Sequence, residues 1–293
     1  LAAGLLVLPV LVLGITVGPG KLELSADPGE TVRGNFFLMN ETQETQTFYP
    51  VFEKFIEENG EKTFLPQEES LLANWIKTET AVTLKAGEKN DVPFTLRLPK
   101  DAPPGGHFAV VWWSTAPPEP GGKGPVAVVT RAGILVMMRV SGDIKEEGKL
   151  LNFSTEGNKK FFWSLPIGFV TTFLNEGNVY LKPAGEITIK NIFGKTKTLI
   201  KVNEGALQIL PQSKRSFQEK WQSAKFSFGP YKAELSFIYG ESQKQTSQSF
   251  WFILIPWKIL LIVILGLGLI FFGIPQAIKR YNQWVVKKYA DRG

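Results

Sequence analysis

The feature that most limits what this chain can become is a stretch of 20 residues, Ile259 to Ile278, that contains no charge. Wound as an α-helix at about 1.5 Å per residue, it is about 30 Å long, the thickness of the hydrocarbon core of a bilayer. Phe250 to Pro256 adds apolar length upstream. Trp251 and Trp257 flank one side and Tyr281 and Trp284 the other, where amphipathic rings suit the headgroup region. Lys258 has a stem long enough to reach outward from the span. A core helix of a soluble domain would carry a polar residue every few positions, and none occurs between Ile259 and Gly273. The expectation is a transmembrane helix with its flanks over 251–278.

Orientation follows from the residues after the span. Lys279, Arg280, Lys287, Lys288 and Arg292 are concentrated there, which puts a basic tail, 279–293, on the cytoplasmic side and the preceding domains outside. Trp251, Trp257, Lys258, Lys279 and Arg280 are the candidate membrane-anchor residues, and membrane lipid is the first expected partner. Ile278, Tyr281, Asn282, Val285 and Tyr289 also fall at near-helical spacing, so the tail reads either as an amphipathic helix or as a merely topogenic one. At the other end, residues 1–14, LAAGLLVLPVLVLG, read as the apolar core of a signal peptide or as an uncleaved apolar segment. Either agrees with a single-pass protein of the cell membrane whose N-terminal domains are extracytoplasmic.

The charge balance narrows the remaining classes. The formal net charge is +6, yet from Lys258 onward there are six basic residues and one acid, so the rest of the chain is close to neutral. A nucleic-acid surface needs its basic residues on the folded domains, and no nucleic-acid partner is expected. The chain has no Cys and a single His, His107. Disulfides, thiolate nucleophiles and Cys-ligated or multi-His metal sites are excluded. There is no GxSxG, no phosphate-binding glycine loop and no HExxH. Glu57, Glu58, Glu61, Glu68 and Glu69 lack calcium-loop spacing and read as a solvated loop turning at Asn59-Gly60. His107, at a strand start after Pro103-Pro-Gly-Gly106, reads as structural. No enzymatic activity, cofactor or metal is expected.

Between the two apolar ends the periodicity is that of strands. Phe94, Leu96 and Leu98 alternate with Thr95 and Arg97; Tyr231, Ala233, Leu235, Phe237 and Tyr239 form a second such series; Glu186 to Lys190 is a third. Asp27-Pro-Gly29, Asn59-Gly60, Ala86-Gly87, Glu176-Gly-Asn178 and Phe228-Gly-Pro230 punctuate them as turns. Many short strands at this spacing predict an all-β fold of two tandem immunoglobulin-like β-sandwiches, 15–140 and 149–250, with 141–148 as linker. The first 140 residues hold 12 basic and 16 acidic residues, and 141–257 hold 15 and 10, so an acidic module precedes a basic one next to the membrane.

Two runs in the first module, His107 to Ser114 and Val126 to Met138, are apolar on both faces. Something is expected to cover their outer side: the Glu57–Ser70 insertion, a glycan or a partner chain. They flank a Pro/Gly-rich hairpin tip, 115–125. Trp75, Trp112, Trp113, Pro117, Pro118 and Lys123 are the candidate ligand-binding residues, because aromatic faces stack on sugars and anchor protein contacts.

The residues Lys21 to Thr31, Phe36-Phe-Leu-Met-Asn40, Asn74-Trp-Ile76, Leu84-Lys-Ala-Gly-Glu88 and Pro99 to Phe108 form a series that resembles the N-terminal domain of WxL-interacting proteins. Asn175 to Asn178, Ile192-Phe-Gly194, Phe228 to Tyr231 and Trp251 to Lys258 are similar to the second immunoglobulin-like domain and C-terminal anchor of bacterial surface proteins with that architecture. The resemblance implies binding of peptidoglycan or another cell-envelope polymer through the first sandwich. The residues themselves leave a second reading open, a protein–protein interaction or assembly module that offers a strand edge or the 115–125 hairpin to a surface protein.

Overall fold

The computed structural model describes residues 14–58, 60–117, 129–222 and 227–290, with the side chains of 258, 259 and 285–290 excepted. Pro118, Lys123, nearly all of the apolar segment 1–14 and most of the 115–125 hairpin lie outside the described residues. The fold is all-β, two immunoglobulin-like sandwiches followed by one long apolar helix.

In the first sandwich one sheet has the order β1 (Ile15–Gly18), β3 (Thr31–Asn40), β8 (Lys89–Arg97), β6 (Ile76–Thr78). The facing sheet runs β2 (Lys21–Ala26), β10 (Arg131–Val140), β9 (Gly105–Ser114), β4 (Gln46–Glu58), β5 (Glu61–Leu65), and β7 (Val82–Leu84) also pairs with β4. The alternation read at Phe94, Leu96 and Leu98 holds, since all three are buried. They meet Phe36, Leu38, Ala109, Val111, Trp113, Ile134 and Val136 in one core. One short helix, α1 (Leu71–Trp75), breaks the strand pattern. Ser70 caps it by accepting from the Ala73 amide at 3.1 Å, and Leu72, Ala73 and Trp75 face the core.

The second sandwich pairs a three-stranded sheet, β11 (Gly148–Thr155), β13 (Ile167–Asn175), β16 (Lys214–Trp221), with a five-stranded one. The latter runs β12 (Phe161–Phe162), β18 (Lys244–Leu254), β17 (Gly229–Tyr239), β14 (Ala184–Asn191), β15 (Thr196–Val202). Tyr231, Ala233, Leu235, Phe237 and Tyr239 all point inward; Trp221 packs edge-on against Tyr231 and Phe252, Phe169 edge-on against Phe252, and Tyr231 and Phe252 stack at 5.9 Å.

Only Ile255 and Pro256 separate β18 from the helix α2 (Trp257–Gly268). A single π turn, Leu269–Gly273, joins it to α3 (Ile274–Ala290). Pro275 lacks the amide hydrogen that an α-helix would donate from that position, and a widened turn just before it relieves the defect. Leu260–Trp284 is long and apolar enough to cross a bilayer. The helix does not stop at Ile278: the basic tail continues it to Ala290, so Lys279 and Arg280 are helical and exposed.

Candidate functional site

The expected linker is an anchored segment. Glu146 is buried, pairs with Arg139 at 3.1 Å and accepts from the backbone amides of Glu241 and Ser242. Burial works against its charge, but those donors, the Ser242 hydroxyl and Arg139 outweigh it and hold its pKa down at about 2. Next to it the two turns that the sequence singles out meet each other. The Gly106 amide donates to the Asn178 carbonyl at 2.7 Å, and the Asn178 side chain bonds Lys145 and Asp143. At Gly177 a Cβ would lie 2.1 Å from the Lys145 carbonyl oxygen, so only glycine permits that approach.

Beyond the turns, the outer face of β9 and β10 lies under the second sandwich. Phe55, Val110, Met137 and Leu210 form a separate buried cluster, flanked by Phe108, Trp112, Leu135 and Tyr180. Leu210 and Tyr180 belong to the second sandwich, so the intact chain covers most of the apolar face for which a loop, glycan or partner was expected. Two carboxylates of the acidic module bind cations of the basic one. Glu57 meets Arg215 at 3.0 Å, both buried, which corrects the expectation that Glu57 lies in a solvated loop. Burial pushes the Glu57 carboxyl above its ordinary range, with Arg215 and Lys62 opposing it. Glu23 accepts from Lys182 at 2.5 Å, from Tyr180 at 3.1 Å and from Gln208 at 2.7 Å. Burial again opposes its charge, and the ammonium groups of Lys182 and Lys21 prevail, leaving its pKa at about 2. The opposite net charges of the two modules thus have a structural use at their junction. A cleft of about 410 Å³ remains beside it, lined by Phe55, Ile56, Phe108, Asn178, Leu210 and Pro211 among others.

The expected ligand-binding residues separate. Trp113 is wholly buried, and among the described residues its Nε1 meets no acceptor. Trp75 is buried and its ring lies 4.8 Å from that of His107. These two are core residues, because they sit on the inner face of β9 and on the inner side of α1; neither ring is available to a ligand. His107 Nε2 donates to the Pro103 carbonyl at 2.8 Å, and burial lowers its pKa. Trp112 points outward and is half-buried. Its Nε1 donates to Glu53 at 2.7 Å, the Arg131 guanidinium lies 4.5 Å from its ring centre, and Phe64 packs edge-on at 5.0 Å. The ring rests on Gly133, where a Cβ would come within 2.6 Å of it. Pro117, the last described residue before the hairpin tip, is exposed. The structure therefore does not bring together the four described candidates, Trp75, Trp112, Trp113 and Pro117. Among the described residues no three His, Asp or Glu side chains are grouped as metal ligands.

One feature of this region escaped the sequence reading. β2 pairs with β10 only from Leu135 to Val140, whereas β9 pairs with it from Arg131. The Leu135 amide donates to the Gly20 carbonyl on the β2 side. Strand alternation then turns the amides and carbonyls of Arg131 and Gly133 to that same side, where no described strand is paired with them, although β1, which leads into β2, runs close to β10. From this edge the Arg131 side chain reaches across the Trp112 ring to Glu53, which stands with Phe64 on the far side of β9. The apolar composition of Val126 to Ile134 was the edge's only sequence signal.

No family model and no curated protein matches the chain. Solved structures resemble it in strand arrangement. The class 5 fimbriae chaperone CfaA is 14% identical, covering 83% of this chain and 100% of its own, with a TM-score of 0.42. A structure of the Salmonella enterica SafA pilin in complex with the SafB chaperone is 12% similar in identity terms, covering 84% and 98%, with a TM-score of 0.38. The PapD-like domain 7 of human CEP192 is 14% identical over 48% of this chain and 96% of its own, with a TM-score of 0.29. The likeness is to PapD-like, immunoglobulin-like domains.

Proposed function

We propose that the chain is a membrane-anchored, externally displayed binding protein that takes up a partner polypeptide as an added strand on the open edge of β10. The observation that carries this reading is the stretch Arg131–Ile134, paired with β9 on one side only, whose Arg131 and Gly133 backbone groups face the other side in strand geometry next to Trp112. An incoming strand would continue the row that β2 begins at Leu135. Backbone bonds would supply affinity, and Trp112, Arg131 and Glu53 would select the side chains it presents. Helix α2–α3 supplies the anchor, with the Lys279 and Arg280 side in the cytoplasm. Among the similar structures are a chaperone in complex with a pilin and a chaperone–tip adhesin complex; the proposal for this chain rests on its own half-open edge. Peptidoglycan recognition, implied by the family resemblance, is the weaker reading: of the three tryptophans, two are core and the third carries a guanidinium against its ring.

A photo-crosslinking residue at Val129, exposed just before β10, in the full chain expressed in cells, tests the proposal. A discrete protein adduct is expected at 129 and absent from the same residue placed at Leu207. Arg131→Pro should abolish it by removing one outward amide, whereas Arg131→Ala should retain it. An adduct unaffected by Arg131→Pro, or sedimentation of the full chain with purified wall sacculi in place of any adduct, would overturn it.

A further inference from the structure

We infer that the base of the second sandwich is itself a membrane-docking surface, seated in the headgroup layer of the bilayer that α2–α3 enters. The inference rests on the anchoring reading above and adds a second, separate contact with lipid.

Strand register gathers four segments at one end of this domain. Asn191 pairs with Tyr231, Tyr231 with Phe252, and Gly229 with Leu254, so the β14–β15 turn and the end of β18 lie together. Phe162 pairs with Leu254, which brings in the segment that follows β12. Trp221, the last residue of β16, packs 5.2 Å from Tyr231, and Phe228 stands where the chain re-enters β17. The helix starts from the same end at Trp257.

Large apolar side chains are exposed on every one of these segments. Phe193 is 85% exposed, Phe161 65%, Phe228 62%, Trp163 59% and Ile192 54%. Such side chains on separate loops, converging at one end, have no core to serve. Lys159, Lys160, Lys195 and Lys197 stand exposed among them. Aromatic rings interleaved with lysines suit the interface of an anionic bilayer, where the rings enter the headgroup layer and the ammonium groups meet phosphate. The start of an apolar helix at this end fixes the occupant as lipid, because a helix that enters the bilayer at Trp257 brings these loops to its surface with only Ile255 and Pro256 between. The opposite end of the domain, with Asn178, Gln208 and Ser213, faces the first sandwich.

The chain has no Cys, so a single substitution gives a unique label site. Full-length Phe193→Cys, Trp163→Cys, Ile264→Cys and Leu207→Cys variants would carry an environment-sensitive fluorophore and be reconstituted in vesicles of phosphatidylcholine and phosphatidylglycerol. Lipids bearing a nitroxide at the headgroup or deep in the acyl chain act as quenchers. The labels at 193 and 163 should be quenched severalfold more by the shallow nitroxide than the label at 207, and the label at 264 most by the deep one. If 264 is quenched at depth while 193 and 163 behave like 207, the helix is inserted but the sandwich stands clear, and this inference falls alone. If 264 is not quenched either, the anchoring reading falls and takes the docking surface with it.

Discussion

Arg215 of the second sandwich reaches into the first and meets Glu57 at 3.0 Å, with both side chains almost wholly withdrawn from solvent. Its guanidinium also donates to the Gly60 carbonyl at 3.3 Å, while Ser213 donates to the Glu57 carbonyl at 2.5 Å. A buried pair of this kind contributes little over an apolar substitute, yet losing one partner strands a charge.

Glu57→Ala and Arg215→Ala should therefore each destabilise the protein by roughly 3 kcal/mol, and the double variant by clearly less than their sum. Denaturant unfolding of the four proteins in detergent micelles, followed by tryptophan fluorescence, measures the coupling. Additive losses would mean the pair does not hold the sandwiches together.

Acid should loosen the junction. Glu146 and Glu23 both have folded pKa values near 2, below the ordinary carboxylate value of 4.5. Their contribution is complete above pH 4.5 and is lost as pH falls from there towards 2. For the buried Glu146 the loss amounts to roughly 3 kcal/mol at most. Glu57 has the opposite sign: its pKa is raised, so its ionisation weakens the fold as pH climbs above 4.5. The unfolding midpoint of Glu146→Gln should fall less steeply than the parent's as pH drops from 4.5 towards 2, with Glu23 accounting for part of the slope that remains.

Gly177→Ala puts a methyl group 2.1 Å from a backbone oxygen that strands on either side hold in place. It should cost on the order of 2–3 kcal/mol and make the 141–147 segment cleavable by protease. Gly194→Ala, at a turn with open space around it, is the control, at a cost of about 1 kcal/mol for its left-handed φ of 75°.

The two adjacent tryptophans should behave differently. Trp113→Ala removes a fully buried ring and should cost about 3–5 kcal/mol. Trp112→Ala should cost about 1–2 kcal/mol, mostly a lost hydrogen bond and ring contacts, while abolishing the crosslink at Val129. Equal losses in stability would contradict the inner and outer placement of the pair.

Fold class was readable because each sandwich buries one face of most strands, so residues such as Phe94 and Leu235 alternate visibly with polar neighbours. The helix was readable because no soluble core tolerates twenty uncharged residues exposed all round. The covered face of β9 and β10 was visible as a run without alternation, but composition cannot say what covers it. That answer depends on Leu210 and Tyr180, more than 40 residues away in sequence and in the other sandwich. Trp112 and Trp113 illustrate the same limit. Neighbours in a strand necessarily face opposite ways, and which one faces in depends on register with β10, a long-range property. The open half-edge had no local signature because it results from where β2 begins to pair.

Two residues, Ile255 and Pro256, are all that lies between the last strand and the helix. A receptor on a long tether searches a volume; if the helix is the anchor proposed above, this chain would sweep scarcely more than a shell of constant height, set by the stacked length of its two halves. A captured partner would then have to arrive at that altitude above the lipid, and two copies diffusing in the same leaflet would present their edges in one plane.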